Sequence, residues 1–307
     1  MRHLTSIGLG VVAVCWLLLA LERPARAQGA WVDAPGSLTG GLNFSYAQSD
    51  KVIGDSKLEF PDSGTRTEEI MPRIEYVPVN HLAVGVQLPF DGLTYLGNKT
   101  EYVHRGGGAY DDGSTHYVAT DFRADVRYQL LEDPFVFTPI IGVSVPVTAY
   151  ETVGNTVAGR HLDQLIVGAA IGRMINNFYV HAVYTYSFVQ RVDYSEATKR
   201  FNENHSDGSL RIGYRLLHDK LDINLEGDGR ITHGGLEFDD STNTKAEFLY
   251  HDAYLHEDIL LVGPGLEYQL TDKLALDAYA RIFVTGLNTQ NASVFGLNVT
   301  WNILTGD

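Results

Sequence analysis

Asp121-Phe122-Arg123-Ala124-Asp125-Val126-Arg127-Tyr128-Gln129-Leu130 places a charged or amide side chain at every odd position and an apolar one at every even position. Successive side chains leave a strand on opposite faces, so this stretch is a β-strand with one wet face and one apolar face. A helix would scatter both kinds of residue around its circumference. The same two-residue period returns in Asp222-Ile223-Asn224-Leu225-Glu226 and Arg211-Ile212-Gly213-Tyr214-Arg215.

What the apolar face meets depends on where the chain goes. Arg2 and His3 open a positive segment, residues 7–21 are an almost unbroken apolar run, and Ala25-Arg26-Ala27 supplies small-x-small before Gln28. This is the pattern of a signal peptide over residues 1–27. The run is too short for a spanning helix, which needs about 20 apolar residues. Cys15 lies inside that run behind Val14, a poor context for lipidation. An exported chain with dyad strands reads as all-β: a transmembrane antiparallel β-barrel over residues 28–307, in the outer membrane of a Gram-negative bacterium. Outer-membrane lipid and lipopolysaccharide are then the partners of its outer face.

Composition narrows the class further. Cys15 is the only cysteine, so the mature chain has no thiol for a disulfide, a zinc knuckle or a nucleophile. Loss of residues 1–27 removes Arg2, Arg23, Arg26 and Glu22, which turns the chain's formal charge of −15 into about −17. Such an excess of acid disfavours nucleic acid as a partner. No later stretch reaches the 18 apolar residues of a helical span.

About twelve strands are expected, near residues 37–48, 68–77, 82–91, 117–130, 135–148, 162–173, 178–192, 206–216, 221–232, 255–270, 274–285 and 292–304. Their connections alternate in length. Residues 77–81, 131–134, 174–177, 217–220 and 271–273 are tight turns rich in Asn, Asp and Pro. Residues 49–67, 92–116, 149–161, 193–205 and 233–254 are long, and 286–291 is intermediate. Short turns at one rim and long loops at the other are the asymmetry of an outer-membrane barrel, and an even strand count puts both termini in the periplasm. A soluble sandwich has no reason to keep every second connection short. Tyr76, Tyr128, Tyr214 and Tyr268 close strands on the apolar parity, and Phe135 and Phe178 open them. Phe44, Tyr46, Phe90, Tyr184, Tyr186 and Phe188 supply the other aromatic belt. Many of the 31 glycines fall on strands, easing bends and leaving interior room, while Pro72, Pro139, Pro146 and Pro264 require bulges or local breaks.

The wet face carries the chemistry. Arg73, Glu75, Asp121, Arg123, Asp125, Arg127, Arg211, Arg215, Glu226, Asp228, Arg230, Glu267, Asp277 and Arg281 share the lumenal parity and are the candidate lining residues. Opposite signs on neighbouring strands predict a lumen narrowed by ion pairs. Parity alone matches Arg127 with Asp228 and Arg281 with Asp277. No Gly-x-Ser-x-Gly and no His-Glu-x-x-His occurs, so no catalytic residue and no cofactor is expected. His104, His116, His161, His205, His233, His251 and His256 fall in or beside the long loops near acids, but no spacing singles out a metal site.

Glu75-Tyr76, a turn and Leu82-Ala83-Val84-Gly85-Val86-Gln87-Leu88-Pro89 resemble the strand-turn-strand pattern of the outer-membrane transporter family of the phenol-degradation meta-pathway. Asp121 through Leu130, Val143-Ser144-Val145-Pro146 and Gly159 to Gln164 are similar in order to that family's middle section. Val77 and Thr148 depart from it, each standing near a position where the family has Gly. The resemblance, over roughly residues 70–190, implies a β-barrel passing a small solute of hydrophobic or aromatic character. Two other classes stand beside this non-enzymatic, passive channel. A barrel enzyme of the outer-membrane phospholipase kind needs Ser and His on the lipid face, whereas His181, Ser187 and Tyr179 lie on the lumenal parity. A structural or adhesive barrel would use its acidic loops to bind partners.

Overall fold

The computed structural model describes residues 29–54, 57, 59–61, 63–97, 108–193, 200–236 and 253–306. The expected signal segment, His104 and His251 lie outside the described residues. Fourteen strand segments join into one antiparallel sheet whose first strand pairs with both the second and the last, so the sheet closes on itself. Two strands are each interrupted once, which leaves twelve. They are β1 (Leu38–Gln48), β2 (Thr65–Val79), β3 (Leu82–Gln87, resuming as Phe90–Tyr95), β4 (His116–Ala119, resuming as Asp121–Tyr128), β5 (Val136–Pro146) and β6 (Gln164–Ile175). The wall continues with β7 (Phe178–Val189), β8 (His205–Leu216), β9 (Leu221–Thr232), β10 (Asp258–Thr271), β11 (Leu274–Leu287) and β12 (Ser293–Leu304). Neighbours in the chain are neighbours in the wall, and closure leaves no edge strand exposed. No helix among the described residues is long and apolar enough to cross a membrane.

The alternation seen in the sequence survives as inside and outside. Val126, Ile141, Leu165, Ile212, Leu225, Leu266, Ile282 and Leu297 all project outward and are exposed. In water they would form one apolar belt far larger than the few hundred Å² that soluble proteins expose, whereas lipid accepts it. Tyr76, Tyr128, Tyr214, Tyr268 and Trp301 ring the short-turn rim, and Phe44, Tyr46, Tyr184, Phe188 and Phe295 the loop rim. Two-residue turns join β2 to β3, β6 to β7 and β10 to β11. In the first two, His81 (φ 68°) and Asn176 (φ 54°) take the left-handed conformation that such turns demand. On the loop rim, Lys51–Ile53, Glu59–Pro61 and Thr289–Gln290 form a separate three-stranded sheet.

The expected strands 68–77 and 82–91 prove longer. Leu93, Thr94 and Tyr95 at the end of β3 are all buried, so the alternation that marks a strand is lost there. The prolines act as breaks at definite places. β3 stops opposite Pro72, at Leu88-Pro89, and the register with β4 slips by one residue at Thr120. Pro146 ends β5, and Pro139 lies one residue beyond the last β5 residue paired with β4. The β10–β11 ladder carries no pair at Gly263 or Pro264, and Arg281 Nη1 donates instead to both carbonyls, at 3.4 and 3.3 Å.

Candidate functional site

Two cavities occupy the lumen. The one on the short-turn side, ≈ 590 Å³, is lined by Arg73, Glu75, Arg123, Asp125, Arg127, Arg211, Glu226, Asp228, Glu267, Asp277 and Arg281. The loop-side cavity, ≈ 510 Å³, is lined by Asp91, Asp121, Arg123, Arg160, His205, Asp207, Arg230 and Glu257 among others. Met71, Gln87 and Arg123 line both, so they mark the junction. Of the fourteen candidate residues only Arg215 lines neither cavity; its guanidinium lies 5.8 Å from the centre of the Tyr179 ring.

The ion pairs differ from those that parity suggests. Arg127 bonds Glu75 at 2.5 Å and lies 3.7 Å from Asp125, rather than reaching Asp228. Arg281 bonds Glu226 at 2.5 Å and Asp228 at 2.8 Å, rather than Asp277. Distance explains both corrections. Asp277 stands four positions from Arg281 on one strand, about 13 Å away at 3.3 Å per residue, and Asp228 sits on β9, five strands around the wall from β4.

Some of the partners that meet, Arg73 with Asp125 and Arg281 with Glu226, are two strands apart, with glycine on the strand between. Glu75 on β2 faces Gly85 on β3, which faces Asp125 on β4. Arg73 fills the space that a Gly85 side chain would take and bonds Glu75 at 3.1 Å and Asp125 at 3.2 Å. Glu226 on β9 faces Gly263 on β10, across which Arg281 arrives from β11. Arg211 on β8 bonds the same Glu226 oxygen at 2.7 Å.

Residues 29–37, which the sequence alone leaves without a role, fill the short-turn end of the lumen. Ala30 has no exposed surface and packs with Val136 and Ala170. Arg127 Nη1 donates to the Gly29 carbonyl at 2.7 Å, Thr138 donates to the Ala30 carbonyl, and the Val32 amide donates to Gln129 Oε1 at 2.8 Å. Trp31 lies against His181, 6.0 Å between ring centres, in a recess where a side chain at Gly172 would overlap its indole. The sequence signal was faint: one Trp in an aperiodic stretch behind the expected signal segment.

At the other end the loops fold inward. Leu162, Val189, Ala253 and Tyr254 form a small apolar cluster from two connections and the end of β7. Beneath it Arg160 bonds Glu203 at 2.9 Å, lies 3.9 Å from Glu257 and donates to Thr232 Oγ1 at 3.3 Å. Glu203 is fully buried. Burial pushes its carboxyl up from an ordinary 4.5 to about 8, against the pull of Arg160 and with the help of Glu257. The closed loops therefore hold this proton more tightly than open ones. Closure is fully supported below about pH 4.5, and that support is lost as pH rises through about 8. Hydrogen-exchange protection of residues 148–163, corrected for intrinsic rates, is expected to fall across this window in the wild type and to stay level in Glu203→Gln. A parallel fall in both would assign the pH response to another group.

The loop histidines are engaged locally. His116 bonds Asp112 at 2.9 Å and stacks on Tyr110, His161 accepts the edge of Tyr150, and His233 bonds Ser206 at 2.8 Å. Among the described residues no three His, Cys, Asp or Glu side chains are grouped to hold a metal. His181, Ser187 and Tyr179 are buried toward the lumen, so they form no lipid-facing catalytic pair.

The fold is shared with solved outer-membrane barrels. The COG4313 outer membrane channel from Pseudomonas putida F1 superimposes with a TM-score of 0.69 at 12% identity, covering 91% of this chain and 100% of that one. The translocator domain of the autotransporter NalP from Neisseria meningitidis gives 0.51 at 10% identity, with coverages of 97% and 95%. The NanC porin gives 0.50 at 7% identity, with coverages of 85% and 98%. No family model matches the chain, and no curated protein matches it.

Proposed function

We propose that the chain, exported by residues 1–27, is an outer-membrane channel that lets a small solute cross passively, and that it has no enzymatic activity. One observation carries this reading: a closed wall with an apolar exterior surrounds two polar chambers that share Met71, Gln87 and Arg123 as lining. A barrel built only as scaffold gains nothing from chambers of ≈ 590 and ≈ 510 Å³ lined by charge. The lipid belt and the alternation of turns and loops support a setting in the outer membrane, with lipopolysaccharide around the loop rim and both termini in the periplasm. The likeness to the meta-pathway transporter motifs favours a solute of hydrophobic or aromatic character. Closure at both ends makes the resting channel narrow, and it is the one observation that favours the structural reading instead.

Planar-bilayer recording tests the proposal. Discrete conductance steps are expected from the purified mature chain, enlarged when residues 29–36 are deleted. Normal insertion with no conductance in either form would leave the structural barrel as the answer.

A further inference from the structure

We propose that Arg123 is the recognition point for the solute's anionic head, and that the solute is a small monocarboxylate with an apolar body. The inference rests on the channel reading above and names what the channel selects. Five other lumen arginines are committed to carboxylates of the wall. Arg73 holds Asp125 at 3.2 Å, Arg127 holds Glu75 at 2.5 Å, and Arg211 holds Glu226 at 2.7 Å. Arg230 holds Asp207 at 2.7 Å and Arg281 holds Asp228 at 2.8 Å.

Arg123 makes no hydrogen bond or ion pair among the described residues, and the register explains why. It faces Gln87 on β3 and Ser144 on β5, so neither neighbouring strand offers it a carboxylate. Gln87 already accepts from Arg73 at 2.9 Å. The acids two positions away on its own strand are taken as well. Asp125 is held by Arg73, and Asp121 accepts from the Tyr150 hydroxyl at 2.5 Å.

The fork of Arg123 therefore opens into the lumen where the two chambers meet, and any solute passing between them goes by it. A guanidinium matches a carboxylate with two parallel hydrogen bonds, which a compact ammonium cannot do. Met71 shares the lining of both chambers and Ile166 lines the loop-side one, giving an apolar body its own contacts. A second negative charge on the solute would meet Asp91 and Asp121, which line the loop-side chamber and pair with no arginine among the described residues.

Benzoate is a suitable probe and benzamide its uncharged counterpart. In planar bilayers benzoate should block wild-type current and benzamide should not. Arg123→Gln should weaken the block about tenfold or more, read as the fraction of that variant's own potassium chloride current, and Arg123→Lys should restore part of it. Saturation-transfer NMR of benzoate with folded protein in micelles, read as wild type against Arg123→Gln, reports the site even where no ions flow. A silent wild type with Arg123-dependent benzoate binding overturns the channel and keeps the site. Conduction with equal block by benzoate and benzamide, or equal block of wild type and Arg123→Gln, overturns the site and keeps the channel.

Discussion

Glu226→Ala is expected to destabilise the barrel by about 3–5 kcal/mol, the cost of removing one member of a buried ion-pair group. A single carboxylate oxygen of Glu226 receives Arg211 at 2.7 Å and Arg281 at 2.5 Å, and the Arg281 side chain is only 6% exposed. Without it the guanidiniums of Arg211 and Arg281 lose the charge between them, and among the described residues Asp228, at 2.8 Å from Arg281, is the only carboxylate still paired with either. Arg281 cannot simply turn away, because its Nη1 also serves the carbonyls of Gly263, Pro264 and Ala280 where the β10–β11 ladder is open. Replacing Arg211, Glu226 and Arg281 together by Met should cost far less than Glu226→Ala, since no charge is then left unpaired. Urea unfolding of the refolded barrel in detergent measures both. If the two variants unfold at the same midpoint, the triad contributes through shape and not through charge compensation.

The wall was legible because each strand solves the same problem: odd residues such as Asp121, Arg123 and Asp125 need water while Phe122, Val126 and Tyr128 need lipid. That conflict writes a two-residue period, and the alternation of long loops and short turns is what separates a barrel from a soluble sandwich with the same period. The candidate lumen set could be read the same way, since parity alone separates Arg73 and Glu75 from Ile74 and Tyr76. Partners were not legible. Parity says which face a residue takes but not which residue it meets, and for Arg73 with Asp125 and Arg281 with Glu226 the meeting is decided by gaps at Gly85 and Gly263, each on the strand between the two charges. A glycine on the lumenal parity between charged strands is the signal that could have been used. The end of β3 was hidden for a related reason, because Leu93, Thr94 and Tyr95 are all buried and show no alternation. Residues 29–37 carry no period at all, since the segment enters the lumen as irregular chain and is recognised by shape.

Trp31→Ala should release that segment, weakening its docking by about 3 kcal/mol, the lower end for a Trp-to-Ala change because Trp31 is partly buried. The indole is the largest apolar contact of the segment, set between His181 and the bare backbone at Gly172. Its neighbours in the segment are tied by smaller contacts, among them the packing of Ala30 on Val136 and Ala170 and hydrogen bonds to Gly29, Ala30 and Val32, each worth about 1–3 kcal/mol net. Thiol labelling at position 30 reads the docking directly. Cys15 is the only cysteine of the chain and falls within the expected signal segment, so Ala30→Cys provides a single thiol at a site with no exposed surface. Its labelling should be slow in an otherwise wild-type barrel and roughly 100-fold faster with Trp31→Ala, the ratio that about 3 kcal/mol implies when labelling waits on an open segment. Gly172→Val attacks the same contact from the wall by filling the recess, so it should accelerate labelling without touching the segment itself. Both changes should also raise the open fraction in bilayer recordings, because the segment and the turn-side chamber share Gly29, Trp31 and Asp33 as lining. If labelling is unchanged by either substitution, the smaller contacts alone hold the segment and the indole is a passenger. If labelling accelerates while conductance stays constant, the segment moves but does not obstruct flow, and the restriction lies with Arg160, Glu203 and the loops above them.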